Sequence, residues 1–351
     1  MIPLALISFF SLFALLVIHE FSHLIAAKRF KVQVEEFGIG YPPRLFSKKI
    51  RDTLYSINLL PFGGFVKIKE EELKERPIWQ RAQIVMAGII SFWVIALVLF
   101  LIIFNVGAPF QILDTDNGDL VFPRVQILSI SPGSPAEEAG LDIGDVIKAL
   151  KTENKEITVD KIYQVQEFTE QNKGREIVMT ILRGNQIFDV DLTPRVLPPA
   201  GEGALGIGLI RVATKKYSFF SAISEAISTV FSLTFQIILG LLDLLKRVVL
   251  GEPNQAQLVG PVGILDIFVK SAILGPIYFL QTLGLISLHI AIMNALPIPA
   301  FDGGRLFFLI IEKIRKKPLN ERIEQKVNLV FFLLLIFLMV WVTIKDIMRI
   351  F

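Results

Sequence analysis

Two histidines and a glutamate lie close together near the start of the chain, in His19-Glu20-Phe21-Ser22-His23. On a helix, residues four positions apart lie on one face, so His19 and His23 could offer ring nitrogens to a single tetrahedral metal ion. Imidazole nitrogens suit zinc. Glu20 lies about 100° further round the helix, where it would not bind the metal but could act on a metal-activated water as a general base.

The surroundings of this motif argue against a purely structural role. Residues 1–18 carry no charge, and the helix that holds the motif extends to about Ala27, which is long enough to cross a bilayer. Ionisable side chains in such a segment are costly unless they share a cation. The weaker alternative is a helix end with interfacial polar residues. Since H-E-x-x-H is typical of zinc-dependent proteases, the motif predicts a hydrolytic zinc site.

A catalytic zinc usually has three protein ligands, so the two histidines are one ligand short. His289 stands alone in an apolar segment, which is more typical of a packed or pore-facing side chain than of a ligand. Asp302 is the better candidate because it follows Pro297 and Pro299, and a carboxylate after a proline-broken membrane helix can line an internal cavity. The alternative for Asp302 is an N-cap of the next helix.

The composition indicates an integral membrane protein. The 351 residues have a mean hydropathy of +0.59, with 53% hydrophobic and only 20% charged residues. A net charge of +3 suits basic cytoplasmic loops and needs no nucleic acid to explain it. Because there is no cysteine, disulfides, cysteine zinc ligands and thiol nucleophiles are excluded. The first apolar run lacks a basic leader and a cleavage site, so we interpret it as a retained span.

Four stretches are predicted to cross the membrane, at residues 1–27, 84–104, 271–301 and 327–344. Basic residues are concentrated between the first two and between the last two, which predicts cytoplasmic loops there and both termini outside. Residues 217–250 could span the bilayer or lie flat on it. Because Asp302 must reach the depth of the histidines, we predict that they form an amphipathic helix at the outer surface or packed against the bundle.

The loops between the spans have structure of their own. Strand-favouring residues at 53–57 and 65–69 flank the turn signal Leu60-Pro61-Phe62-Gly63-Gly64, which predicts a β-hairpin with an apolar tip near the membrane. Residues 121–195 contain short strand patterns and one polar helix near 161–171, which predicts a compact inserted domain. We therefore expect four regions, at 1–105, 106–210 (the inserted domain), 211–270 (an amphipathic linker) and 271–351.

Four motifs give the chain a resemblance to the site-2 protease family of intramembrane zinc metalloproteases, and within it to the bacterial PDZ-containing type. They are His19-Glu20-x-x-His23, the segment Leu59–Lys67, Gly260-Pro261-Val262-Gly263, and Asn294-x-x-Pro297-x-Pro299-x-x-Asp302-Gly303-Gly304. The insert resembles a single PDZ domain through residues 131–141 followed by Gly144-Asp145. One departure is Ala87-Gly88-Ile89-Ile90-Ser91, where relatives commonly have Gly-Pro and an asparagine.

The resemblance implies a fold and a set of site residues. The fold is a polytopic α-helical membrane protein with four transmembrane helices, a cytoplasmic-side β-hairpin and one extracytoplasmic PDZ-like α+β domain. Zn²⁺ is held by His19, His23 and Asp302. Glu20 activates water, and Asn294 holds substrate or stabilises the oxyanion. Substrate contacts are implied in the hairpin at Leu60, Phe62, Gly63 and Gly64, and in the insert at Leu205, Gly206 and Ile207. For the last three, a glycine-rich linker is an equally weighted alternative.

The activity that the resemblance implies is regulated intramembrane proteolysis. The enzyme would be a multi-pass protein of the inner (plasma) membrane, with both termini and the PDZ-like domain extracytoplasmic. Its partners would be the lipid bilayer and single-span membrane protein substrates, such as anti-sigma factors or signal-peptide remnants, with no nucleic acid. The competing hypothesis is a non-catalytic membrane scaffold whose PDZ domain binds partner termini. A zinc transporter ranks last, because the other spans are nearly bare of ionisable residues.

Overall fold

The computed structural model describes residues 2–116, 121–251, 259–317 and 319–350. They form two compact units. The first contains Met1–Leu101, Ser224–Val269 and Leu280–Phe351, and the second contains Ile102–Ile223 and Lys270–Phe279. The four predicted regions divide the chain differently, and their boundaries stay predictions.

The described residues form helices and strands along the whole chain, and the last five elements are all helices. In order, they are α1 (Ile2–Arg29), β1 (Val34–Ile50), β2 (Thr53–Ile68), α2 (Glu70–Lys74), α3 (Ile78–Val106), β3 (Ala108–Gln111), β4 (Val121–Ile130), α4 (Pro135–Glu138), β5 (Val146–Thr152), β6 (Lys155–Thr158), α5 (Ile162–Gln171), β7 (Ile177–Arg183), β8 (Gln186–Leu192), β9 (Ile207–Lys215), α6 (Phe219–Leu250), α7 (Pro261–Leu274), α8 (Pro276–Ala295), α9 (Asp302–Arg315) and α10 (Glu321–Ile350).

Five helices of the described chain are long and apolar enough to cross a membrane. They are Pro3–Arg29, Ile78–Val106, Phe219–Leu250, Pro276–Ala295 and Arg322–Met348. Four overlap the predicted spans, and the other is α6, the predicted amphipathic helix. The indole N–H of Trp93 on α3 donates a hydrogen bond to Thr234 Oγ1 on α6 at 3.1 Å, so α6 contacts the bundle. The count of four spans stays a prediction.

The predicted third span, residues 271–301, is not one helix. It is interrupted at Gly275, whose φ of +126° lies in a region that side chains disfavour, and α7 and α8 meet there. The helix ends at Ala295, just before the two prolines, as the prolines predicted. The Gly275-Pro276 dipeptide was the available local signal for this break, because Gly-Pro is typical of turns.

The predicted β-hairpin turn at 60–64 is wrong. The turn lies at Arg51-Asp52, and Ile50 pairs with Thr53 across it. Residues 34–39 of β1 lie between the two halves of β2, since Gly38 pairs with both Ser56 and Phe65. Residues 60–64 are therefore the bend that carries β2 from one side of β1 to the other. A local turn signal cannot reveal such long-range pairing.

The second unit is an α+β domain with strand order β3-β9-β4-β5-β7-β8, and β6 pairs with β5. The short strand patterns of the sequence at 125–130, 177–182 and 187–192 form β4, β7 and β8, and the helix predicted near 161–171 forms α5. Alternate strand residues fill its core; the most buried are Val125, Ile127, Ile147, Leu150, Ile177, Met179 and Ile181. The strands of this domain extend from Ala108 to Lys215, beyond the strand patterns at 121–195, because β3 pairs with β9.

The corner between α7 and α8 packs on this α+β domain. The Tyr278 hydroxyl accepts a hydrogen bond from Arg124 at 2.9 Å and donates one to Gln126 Oε1 at 3.1 Å. Gly144 lies so close to Leu274 that a Cβ built on the glycine would be 2.5 Å from a Leu274 methyl carbon. The second unit is thus held together by polar and apolar contacts with this corner.

Candidate metal centre

The two motif histidines lie one turn apart on α1 and face α3. Their ring centroids are 4.8 Å apart. The His19 ring also stacks on Phe92 of α3, at 4.8 Å between centroids and 20° between planes. Both rings are buried, with 9% of His19 and 5% of His23 exposed. The spacing on α1 therefore places both imidazoles at one buried point, as predicted.

Asp302 completes this cluster. It is the first residue of α9, and Phe301 occupies the N-cap position, so Asp302 does not act as the N-cap. Its Oδ2 atom lies 3.4 Å from His19 Nε2 and 3.2 Å from His23 Nε2. In a tetrahedral zinc site with bonds of about 2.0 Å, neighbouring ligand atoms are about 3.3 Å apart. The two distances to Asp302 are therefore those of neighbouring ligands of one zinc ion, and the ligand atoms of all three residues lie within 4.8 Å of one another.

The hydrogen bonding of His23 makes its Nε2 atom available for a metal. Its Nδ1 lies 2.8 Å from the Ile84 carbonyl oxygen. Because a carbonyl only accepts, Nδ1 must carry a proton, and in the neutral ring that binds a metal Nε2 then holds the lone pair. Within the described chain, buried Asp302 Oδ2 has no hydrogen-bond partner. Two electron-rich atoms at this distance are stabilised by a cation between them, so the residues fit a metal ion.

Gly88 on α3 leaves room for the cluster. A Cβ built on Gly88 would lie 2.3 Å from His23 Nε2 and 2.6 Å from His19 Cε1. Even a methyl group would therefore intrude on the ligand atoms. The sequence singled out this segment only as a departure from relatives, and the available signal was a glycine inside an apolar helix.

Glu20 lies beside the sheet of the first unit. A Cβ built on Gly64 of β2 would be 3.6 Å from Glu20 Cγ, so Glu20 lies next to Gly64. Residues 64–68 pair with 34–39 along one edge, and no described strand pairs with their other edge. An unpaired strand edge therefore passes next to the predicted base.

The other predicted site residues of this unit lie in different settings. Asn294 donates its side-chain amide to the Ile290 carbonyl at 3.0 Å, within its own helix. Leu60 and Phe62 are exposed, and Phe62 contacts Phe9 of α1 edge-on. His289 is exposed and its Nδ1 bonds to Leu285 of its own helix, so it is neither packed in the interior nor part of the cluster.

A cleft of about 200 Å³ lies in the second unit, between α5 and the start of β9. It is lined by Ile162, Val165, Gln166, Thr169, Gly203, Ala204, Leu205, Ile207 and Leu209. Of the three residues predicted there, Leu205 and Ile207 line the cleft. Gly206 instead packs on Ser134, where a Cβ would be 2.3 Å from the serine Cβ. Because β3 pairs only with residues 212–215, the preceding part of β9 has no described strand on that edge.

The chain is similar in sequence to known metalloproteases. The model of peptidase family M50 matches residues 7–338. A Clostridium perfringens protein whose name assigns it to the zinc metalloproteases is 34% identical over 347 residues, covering 95% of each chain. The regulator of sigma-W protease RasP of Bacillus subtilis is 27% identical over 436 aligned positions, covering 98% of each chain. The chloroplastic membrane metalloprotease ARASP of Arabidopsis thaliana is 29% identical over 355 residues, covering 95% of this chain and 76% of ARASP.

The family match and the site agree. The matched range includes His19, Glu20, His23 and Asp302, and the described structure brings the two histidines and the aspartate together as a possible metal site. The relatives are zinc and membrane metalloproteases by name. The long apolar helices are those expected of a membrane enzyme. This chain therefore belongs to peptidase family M50, the site-2 proteases, and it is a zinc metalloprotease that acts in intramembrane proteolysis.

Proposed function

We propose that His19, His23 and Asp302 bind the catalytic Zn²⁺, that Glu20 is the general base, and that the scissile bond lies within or near a substrate's membrane-spanning helix. The observation that carries this proposal is the approach of Asp302 Oδ2 to the Nε2 atoms of His19 and His23, at 3.4 and 3.2 Å. These residues come from α1 and α9, which are far apart in sequence. Ionisable side chains are costly inside an apolar bundle, and a shared metal ion would offset that cost.

The chain's own residues can carry the proton transfers. A bound Zn²⁺ supplies Lewis-acid polarisation of the scissile carbonyl and lowers the pKa of water. Glu20 accepts a proton from the attacking water through its carboxylate and returns it to the leaving nitrogen, so no net proton is consumed. Asn294 uses one amide hydrogen for Ile290, and the second is available for the oxyanion.

Substrate is proposed to bind by strand addition next to Glu20. A membrane helix satisfies its amides internally, so it must unwind before a protease can reach a peptide bond. The unpaired edge of residues 64–68 offers backbone groups for an extended segment. Gly63 and Gly64, which lead into this edge, are buried near Leu16 and Glu20, and the exposed side chains of Leu60 and Phe62 offer apolar contacts.

The α+β domain is proposed to be a PDZ-like domain that acts as a docking site or size filter. Its cleft lies between a helix and a strand with an unpaired edge, which suits an extended peptide terminus. We propose that the domain and both termini are extracytoplasmic and that the protein spans the plasma (inner) membrane several times. This arrangement is supported by the basic loops at 28–81 and 305–326.

The substrate class is proposed to be single-span membrane proteins. The Bacillus relative is named as a regulator of sigma-W, which supports substrates such as anti-sigma factors. Signal-peptide remnants have the same chemistry, a short apolar helix with one trimmed end. A non-catalytic PDZ scaffold is the alternative, and the metal cluster argues against it because a scaffold does not need one.

The test uses purified full-length protein and a model single-span substrate in vesicles. We expect Glu20→Gln to retain about one zinc per chain while cleavage falls by about 10²–10⁴-fold, because the base is lost and the ligands are kept. His23→Ala and Asp302→Ala should lose both zinc and cleavage. Wild-type cleavage by Glu20→Gln would contradict the proposal, and wild-type protein without stoichiometric zinc would favour the scaffold.

A further inference from the structure

The backbone just before Asp302 adopts an unusual conformation. Ala300 has a φ of +78°, in the left-handed region that residues with a side chain rarely adopt. It is two residues from the carboxylate that faces the histidines. An alanine held in this region needs surrounding contacts that favour the conformation.

One such contact comes from a different helix. The Ala300 backbone N–H donates a hydrogen bond to Asn328 Oδ1 at 3.1 Å. Asn328 lies near the start of α10, whose described side chains are mostly exposed, with Val342 and Asp346 as its buried ones. The bond therefore connects a sparsely packed helix to the loop that carries Asp302.

The loop transmits its conformation directly to Asp302. A Cβ on Gly303 would lie 2.1 Å from the Leu296 carbonyl oxygen, and one on Gly304 would lie 2.4 Å from the Ile298 carbonyl oxygen. The first turn of α9 thus sits against the backbone of the loop with no intervening side chain. Because of this close packing, a rotation at Ala300 must also move Asp302.

We propose that Asn328 is a positioning residue for the metal centre. By accepting the Ala300 N–H, its side-chain oxygen holds the left-handed turn that directs Asp302 Oδ2 at the two histidines. The proposal rests on the assignment of Asp302 as a zinc ligand. It predicts that the acceptor oxygen of residue 328, and not merely a side chain of that volume, sets the affinity for zinc.

The first experiment compares full-length Asn328→Leu, Asn328→Asp and the control Gln325→Leu, which changes an exposed residue one turn earlier. The readouts are zinc affinity by competition with a chromophoric chelator and the visible spectrum of the Co²⁺-loaded protein. We expect Asn328→Leu to weaken zinc binding by about 10–100-fold and alter the spectrum, since loss of an outer-shell partner has effects of this size. Asn328→Asp, which keeps an acceptor, and the control should stay close to wild type.

Wild-type zinc affinity and spectrum in Asn328→Leu would overturn the proposal. An equal defect in Asn328→Asp and Asn328→Leu would also overturn it, because the acceptor would then not be the cause. Thermal unfolding of each variant in the presence of chelator checks that the apoprotein is folded. A loss of zinc affinity without a matching loss of apoprotein stability is what a positioning role predicts and a general structural role does not.

A second experiment uses the strained residue. Glycine adopts a positive φ freely, so Ala300→Gly should make the turn less dependent on Asn328. We expect the effect of Asn328→Leu on zinc affinity to be smaller in the Ala300→Gly background, and an equal effect in both backgrounds contradicts the proposal. Asp302→Ala distinguishes failure of the metal site from failure of the positioning role. If Asp302→Ala leaves zinc affinity unchanged, the assignment of the metal site is wrong. If Asp302→Ala weakens zinc binding but Asn328→Leu does not, only the positioning role of Asn328 is rejected.

Discussion

Two residues beside the candidate metal centre contribute to it without being proposed as ligands. The Ile84 carbonyl fixes the proton of His23 on Nδ1, and this leaves Nε2 free for a cation. Gly88 has no side chain, and this leaves room for the two imidazoles where they face α3. The ligand geometry is therefore a property of how α1 packs on α3 as well as of the motif itself.

Gly88→Ala tests this packing. We expect the new methyl group to displace the imidazoles and weaken zinc binding at least about tenfold, because its carbon would lie 2.3 Å from His23 Nε2. The measurement is zinc per chain after dialysis, together with chelator competition. Gly240→Ala on α6 is the control, since a Cβ there meets nothing within 4 Å. Unchanged zinc affinity in Gly88→Ala would show that the packing relaxes around the site.

The sequence was sufficient to name the groups of the cluster but not what supports them. The spacing of His19 and His23 defines one helix face, and the prolines before Asp302 mark the end of a helix, so local patterns identify these residues. Gly88, Ala300 and Asn328 matter only through contacts between segments distant in sequence. No periodicity or turn signal encodes such contacts.

At the scale of whole elements, an ion pair connects the helices on two sides of the site. Arg81 near the start of α3 lies 2.8 Å from Glu312 on α9, with 16% and 17% of the two side chains exposed. The α3 helix backs the histidines and α9 carries Asp302. The pair therefore connects the two helices at a point seven residues before Gly88 on α3 and ten residues after Asp302 on α9.

A double-mutant cycle tests this connection. We expect Arg81→Met and Glu312→Gln each to lower the free energy of unfolding by about 1–3 kcal/mol, and the double variant to lose less than the sum, since either change leaves a half-buried charged or polar partner. The measurement is denaturant unfolding in mixed micelles. Lys313→Met, which changes an exposed residue beside Glu312, is the control. Additive effects would show that the two side chains are not coupled.

Prediction of the elements succeeded where the signal was periodic and failed where pairing was long-range. The apolar helices and the strands of the inserted domain could be predicted because each shows a regular pattern of apolar residues along a continuous segment. The β1–β2 sheet could not, because residues 34–39 lie between two halves of a strand that follows them in the chain. The break between α7 and α8 was different, because it lies at Gly275-Pro276, a local signal that the continuous apolar run around it outweighed.

At the scale of the whole molecule, the second unit combines a peptide-sized cleft with a polar contact to the α7–α8 corner. The cleft is formed by α5 and β9, and the Arg124–Tyr278–Gln126 contacts lie within the same unit. The domain therefore has its own hydrophobic core, and polar contacts attach it to the α7–α8 corner. This organisation suits a module that selects substrates without taking part in peptide bond hydrolysis.

Gln166→Trp tests that separation of tasks. Gln166 is exposed and lines the cleft, so an indole there should block peptide entry without disturbing the core. We expect at least about a tenfold loss of affinity for terminal peptides, measured by fluorescence anisotropy on the full-length protein, since burial of an anchoring side chain is prevented. Cleavage of a substrate without an extracytoplasmic segment should be unchanged.

Glu167→Trp is the matched control, because Glu167 is exposed on the same helix and does not line the cleft. Equal loss of binding in the two variants would mean that the cleft is not the peptide site. A loss of cleavage in Gln166→Trp with the short substrate would mean that the domain takes part in the reaction itself.

The position of Glu20 next to Gly64 bears on where a substrate is cut. It places the proposed general base beside one strand edge. Backbone pairing repeats every two residues, so a substrate paired with this edge can slide only in steps of two. The cleaved bond would then lie at a defined number of residues from the paired segment of the substrate. Mass spectrometry of the products should show minor cuts displaced by two residues from the main one. Cuts at adjacent bonds would contradict strand pairing as the feature that sets the cleavage position.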